Sequence, residues 1–264
     1  MLRSIYLKTL YNLRGQIFGW SLGVGFIAFI TMVLYDSFDQ AGIESIISSV
    51  PESLKPLVGS VEDFKTIPGF IGQQIFGPNG YILAVAAAIL MALSVSANEE
   101  DDKRLQTLLT LPVTRSTVFF QKLLAVMTAV AIVALTLVAC TYLGLLIVHH
   151  SVDFTRIMEA TFAFFLMNAA FATIAFSAAL FTGKKGTSVV IGGGYAALSF
   201  LITSLAPSVK ELHDIDRLSI LHYYNTPLVM QHGLKFDHIA VLVGIIIILA
   251  TISWLRFRQR NVGI

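Results

Sequence analysis

Six stretches of this 264-residue chain contain no Asp, Glu, Lys or Arg: residues 16–35, 80–98, 123–150, 160–183, 186–209 and 239–255. Each is long enough, at about 17 residues or more, to cross the hydrocarbon core of a bilayer as a helix. A charge at mid-membrane costs about 2.5–3.5 kcal/mol, so six charge-free runs are what spanning helices require. Composition agrees: charged residues make up 13% of the chain and mean hydropathy is +0.77, where a soluble domain carries about 25% charge. A transmembrane barrel would instead show alternating segments of about ten residues. The fold expected is an all-α polytopic membrane protein, a single domain over 1–264. Spans are placed at 16–35, 80–98, 123–148, 160–182, 187–206 and 239–255, with outside loops at 36–79 and 207–237.

The charges between the spans fix an expected orientation. With both termini on one side, that side holds Arg3, Lys8, Arg14, Lys103, Arg104, Arg115, Lys122, Lys184, Lys185, Arg256, Arg258 and Arg260, twelve against six on the other. Positive charge collects on the cytoplasmic face, so both termini are expected in the cytoplasm of a multi-pass cell-membrane protein. Arg256, Arg258 and Arg260 then read as a basic anchor after the last span. Residues 1–15 mix Leu2, Ile5, Tyr6, Leu10 and Leu13 with basic residues. They suit an N-terminal interfacial helix, and equally an extension of the first span.

The segment 98–122 is the strongly charged block between two long spans. It opens with Glu99, Glu100, Asp101 and Asp102, which suit the positive end of a helix dipole. Leu105, Leu108 and Leu109 follow at helical spacing as a narrow apolar stripe. Pro112, lacking an N–H, stops that helix, and Thr114 or Ser116 can cap the next one, which carries Lys122. A short amphipathic helix, a stop and a second helix entering the membrane are expected.

Inside the membrane the sequence offers small residues. Gly15, Gly19 and Gly23 recur every four residues in the first span, and Ala84, Ala88 and Ala92 do so in the second. Such spacing lets helix backbones approach closely, either between subunits or within one bundle. Gly192, Gly193 and Gly194 suit a flexible point or a close packing site. For Asn168 an interhelical hydrogen bond is the expectation, and the lone Cys140 reads as a small buried apolar residue.

Catalytic patterns are missing. There is no Gly-x-Ser-x-Gly, no His-Glu-x-x-His and no pair of acids within a span. Gly183-Lys-Lys-Gly186 lacks the spacing of a P-loop. His149 and His150 are adjacent and do not share a helix face, so no metal site is expected there. An active site around His213, Asp214, Asp216 and His222 is the alternative left open; a polar loop is the simpler reading.

The block EEDDKRLQTLLTLPVTRSTVFFQKLLA resembles the segment between spans two and three of type-2 ABC-transporter permeases. There the pattern is a Glu, Gly-Thr-Leu-Glu-x-Leu-Leu, two residues, Pro-Val-Ser-Arg and a Lys opening span three. Glu100, Leu105, Leu108, Leu109, Pro112, Val113, Thr114, Arg115 and Lys122 match, whereas Lys103 and Arg104 replace Gly-Thr and Gln106 replaces Glu. The stretches SVPESLKPLVGSVEDFKTIPGF, LSILHYYNTPLVMQHG and FRQRNVGI are also similar to the family. The resemblance implies the membrane subunit of an ATP-driven exporter that is not itself an enzyme. Its implied partners are separate ABC ATPase subunits, a second permease subunit (identical or related) and membrane lipid, with no nucleic acid. No cofactor is expected on this chain, since ATP and Mg would bind the ATPase. Glu100, Leu105, Leu108, Leu109, Pro112, Arg115 and Lys122 would form the ATPase-coupling segment, the leucines serving as an apolar anchor for a groove. A lipid or hydrophobic drug would suit the apolar spans as substrate. The alternative is a membrane anchor or regulator of a cytoplasmic ATPase that moves nothing.

Overall fold

The structure, a computed structural model, describes residues 4–35, 66–102, 105, 108, 112–150, 152–224, 229–230 and 233–260. Among them six helices are long and apolar enough to span a membrane. They are α1 (Ile5–Val33), α2 (Pro78–Val95), α3 (Arg115–Ile147), α4 (Phe154–Thr182), α5 (Lys185–Leu205) and α6 (Phe236–Gln259). The expected all-α, six-span class is the one observed, with no strand among the described residues. The stretches 42–50 (GIESIISSV) and 53–61 (SLKPLVGSV), whose patterning suits short amphipathic helices, lie outside the described residues.

Local chemistry sets the helix starts. The Ser4 side chain accepts from Leu7 N ahead of α1, and Asp153 accepts from Thr155 N ahead of α4. Thr114, one of two candidate caps, accepts from Thr117 N ahead of α3. Pro68 opens the short helix Ile67–Phe70, and Pro78 opens α2, where a missing N–H costs nothing. Gly183 closes α4 in the left-handed region, φ 65°, which favours a residue without Cβ.

Residues 5–15 form no separate interfacial helix. They continue unbroken into the first span, giving one helix of 29 residues. At about 1.5 Å per residue it is longer than the ~30 Å hydrocarbon core. That excess length leaves room for the turns bearing Lys8 and Arg14 outside the apolar layer.

α4 is the centre of the bundle: 83% of its most apolar window is buried, against 17% for α5 and 11% for α6. It packs on α2, α3, α5 and α6, while α1 lies mainly along α3 and more lightly on α2. Phe70, Phe76, Phe119, Phe164, Phe171 and Phe176 are fully buried. Phe164 meets Phe76 edge-on at 5.7 Å and Phe119 meets Phe176 at 5.6 Å.

The two small-residue stripes separate. Ala84, Ala88 and Ala92 are 3%, 1% and 0% exposed in the core. Gly15, Gly19 and Gly23 face away from it, and a Cβ built on any of them meets nothing within 4 Å. The close approach of α1 to α3 is made elsewhere: a Cβ on Gly25 would lie 2.8 Å from Cys140 Sγ, and one on Gly144 2.6 Å from Met32 Cβ. Gly192 is a packing site, where a Cβ would lie 3.1 Å from that of Ala175 on α4.

Asn168 corrects an expectation. It is 1% exposed, yet it bridges no helices. Its Nδ2 donates to Phe164 O one turn back, at 2.8 Å. Thr136, Thr141, Thr161 and Thr173 likewise bond the carbonyl four residues earlier. In an apolar surround this is the nearest acceptor for a short polar side chain.

Candidate functional site

Alternating spans bring the ends of α2, α4 and α6 to the end of the bundle where α1, α3 and α5 begin; we call this end the floor and the opposite end the roof. The last carbonyls of a helix have no partner within it and carry partial negative charge. On the floor a cation meets them in each of the three helices that end there. Lys122 Nζ donates to Val95 O of α2 at 2.8 Å. Arg260 Nη1 donates to Leu180 O of α4 at 2.8 Å. Arg115 Nη1 donates to Phe257 O of α6 at 3.3 Å and also to Arg260 O.

Two acids at the start of the charged segment complete this set. Glu99 and Glu100 lie in the short helix Ala97–Asp101. Glu99 Oε2 pairs with Lys122 Nζ at 2.5 Å, with the lysine side chain 5% and the glutamate 15% exposed. Glu100 pairs with Arg260 through both oxygens, at 2.5 Å (Oε1 to Nη2) and 3.1 Å (Oε2 to Nη1). A buried lysine needs both its charge partner and its hydrogen bonds to be tolerated, and Lys122 has them.

Two leucines of the apolar stripe face inward. Leu105 is 1% and Leu108 8% exposed, and both belong to the bundle's hydrophobic core. Leu105 borders a small cavity with Val118, Phe119, Phe176, Leu180 and Phe257. In this arrangement the two leucines seat the segment on the floor. Leu109 lies outside the described residues. Outward positions among the described residues include Asp101, Asp102, Pro112 and Thr114, all exposed.

The coupling residues read from sequence therefore converge, with one reassignment. Glu100, Leu105, Leu108, Arg115 and Lys122 come together under the bundle, while Pro112 sits at its outer surface. Sequence reasoning missed Arg260. Its place after the last span reads as a basic membrane anchor, but its guanidinium is 17% exposed and closes the site.

The roof holds the alternative site. His222 Nδ1 meets Asp216 Oδ2 at 2.5 Å, and Thr203 Oγ1 donates to Asp216 Oδ1 at 2.7 Å. His213 and Asp214 are exposed. The Thr203 hydroxyl engages the acid rather than the imidazole, so the arrangement is not the hydroxyl–histidine–acid relay of a nucleophilic site. Among the described residues no three metal-ligating side chains cluster.

A family model described as ABC-2 family transporter protein matches residues 60–203, more than half of the chain. No curated protein matches it. The matched range contains α2, the charged segment, α3 and α4, and stops before α6 and Arg260.

Proposed function

The chain belongs to the ABC-2 transporter permease family, and from that premise we propose that it is the permease of an ATP-driven exporter whose ATPase docks on the 98–122 segment. It is a multi-pass membrane protein and a membrane subunit of a transporter; the remainder is our reading. In it the floor and both termini face the cytoplasm. ATP and Mg bind the partner, and this chain catalyses nothing.

The observation that carries the reading is the placement of the segment. Leu105 and Leu108 fix it against the bundle, Glu99 and Glu100 tie it to helix ends, and Asp101, Pro112 and Thr114 point outward. A surface presented on so firm a mount can pass a partner's closure into the spans. The exposed acid would orient the encounter more than strengthen it. Closure must favour one arrangement of the bundle over another.

The outward glycine face of α1 supports a second permease subunit. Gly15, Gly19 and Gly23 lie beside exposed Tyr11, Phe18, Leu22 and Phe26, a combination that permits close helix approach across a membrane interface. Lipid covers the remaining apolar faces. The substrate class suited to such spans is a lipid or hydrophobic drug.

The test is reconstitution of the permease with its co-purified ATPase in vesicles, followed by ATP-dependent movement of hydrophobic dyes and labelled lipids. Transport abolished by an ATPase Walker-lysine variant supports the exporter. ATPase binding without transport of any member of the panel favours the anchor or regulator instead.

A further inference from the structure

We propose that Arg260 is a positioning residue that ties the ends of α4 and α6 to the charged segment, so that a displacement of the segment is carried into these two spans. The proposal rests on the reading that an ATPase docks there.

The two ion pairs of the floor differ in what they join. Glu99–Lys122 links the segment to α2 and α3, which the chain already connects to it. Glu100–Arg260 spans 160 residues of sequence and reaches α4 and α6, to which the chain does not directly connect the segment. Its geometry is the stiffer of the two. A guanidinium engaging both carboxylate oxygens fixes direction as well as distance. The same Arg260 donates to Leu180 O at the end of α4, and its own carbonyl accepts from Arg115 at the start of α3. One residue thus touches α3, α4 and the segment while ending α6.

Gly183 makes the room. A Cβ there would lie 1.8 Å from Arg260 Nη2 and 2.8 Å from Glu100 Oε1, and its φ of 65° already disfavours a side chain. The pair is also placed next to the outward surface: exposed Asp101 directly follows Glu100 in the helix Ala97–Asp101. Force applied at Asp101 has one residue to cross before it meets the guanidinium. With both side chains mostly buried, at 17% and 13% exposed, salt screens the link weakly.

The experiment uses the permease–ATPase complex in lipid nanodiscs, in a Cys140→Ala background, with spin labels at Leu124→Cys on α3 and Arg256→Cys on α6. Vanadate-trapped nucleotide is expected to shift the interlabel distance in the parent. Arg260→Ala is expected to lose most of that shift while still co-purifying with the ATPase. Gly183→Ala, which keeps both charges but occupies their space, should lose it too. The exchange Glu100→Arg with Arg260→Glu should recover it in part, which a merely structural role would not produce. A full shift in Arg260→Ala with ATPase bound overturns this proposal and leaves docking intact, as does a parent that binds ATPase and shows no shift. Absence of any ATPase from the parent complex overturns docking and this proposal together.

Discussion

The floor and the roof of the bundle both hold acid–base pairs at 2.5 Å, and they differ in what surrounds them. On the floor, Lys122 and Arg260 are mostly buried and each also meets the carbonyl of a helix end. On the roof, His222 is 36% exposed and its partner Asp216 takes a threonine hydroxyl. A pair earns structural weight from burial and from the orphan groups it satisfies, not from its distance. The floor is accordingly a joint between helices; the roof pair lies within the single connection between α5 and α6, and although its Asp216 is 13% exposed, its histidine stands 36% exposed and meets no helix-end carbonyl in this pairing.

Lys122→Met should produce the largest effect. It leaves Glu99 and Val95 O without their partner, and removing one member of a buried pair costs about 3 kcal/mol. Thermal unfolding in detergent should show a clear loss; a change too small to detect would place the floor pair with the roof pair. Ala88→Leu comes next. It forces extra volume into a site 1% exposed, and such overpacking costs about 2 kcal/mol. Asp216→Asn should cost less, about 1 kcal/mol, because only one member of that pair is buried and His222 stays 36% exposed, so a loss matching that of Lys122→Met would erase the contrast between the two ends. Gly19→Leu should leave the fold of the subunit nearly untouched, because nothing lies within 4 Å of the added Cβ. Cross-linking should nonetheless show less self-association, and unchanged association would remove α1 from any subunit interface.

The alanine and glycine variants also show where sequence reading stops. Ala84, Ala88, Ala92 and Gly15, Gly19, Gly23 have the same spacing, and spacing gives a face but not its direction. The direction depends on which neighbours close around the helix: α2 lies among α1, α3, α4 and α5, whereas α1 lies mainly along α3. The six spans were legible because exclusion of charge from apolar surroundings acts on each residue separately. The Thr114 cap was legible because its chemistry is local. Leu105 and Leu108 were recognisable as an apolar stripe, but that the stripe closes the protein's own core follows from tertiary packing. Arg260 was the least legible, since its partner Glu100 is 160 residues away and an arginine after a last span matches a membrane anchor as well. The glycine at 183 was the available signal, through a helix end that needs a left-handed residue.

The most direct test of the account is co-purification of tagged protein from detergent extract, comparing the parent with Asp101→Lys/Pro112→Asp. Both substitutions lie on the exposed face of the segment and should leave thermal stability unchanged. The account predicts that the parent brings down an ATPase bearing a P-loop and that the variant, still folded, does not. An ATPase retained in full by the folded variant, or absent from the folded parent, would contradict docking on this surface.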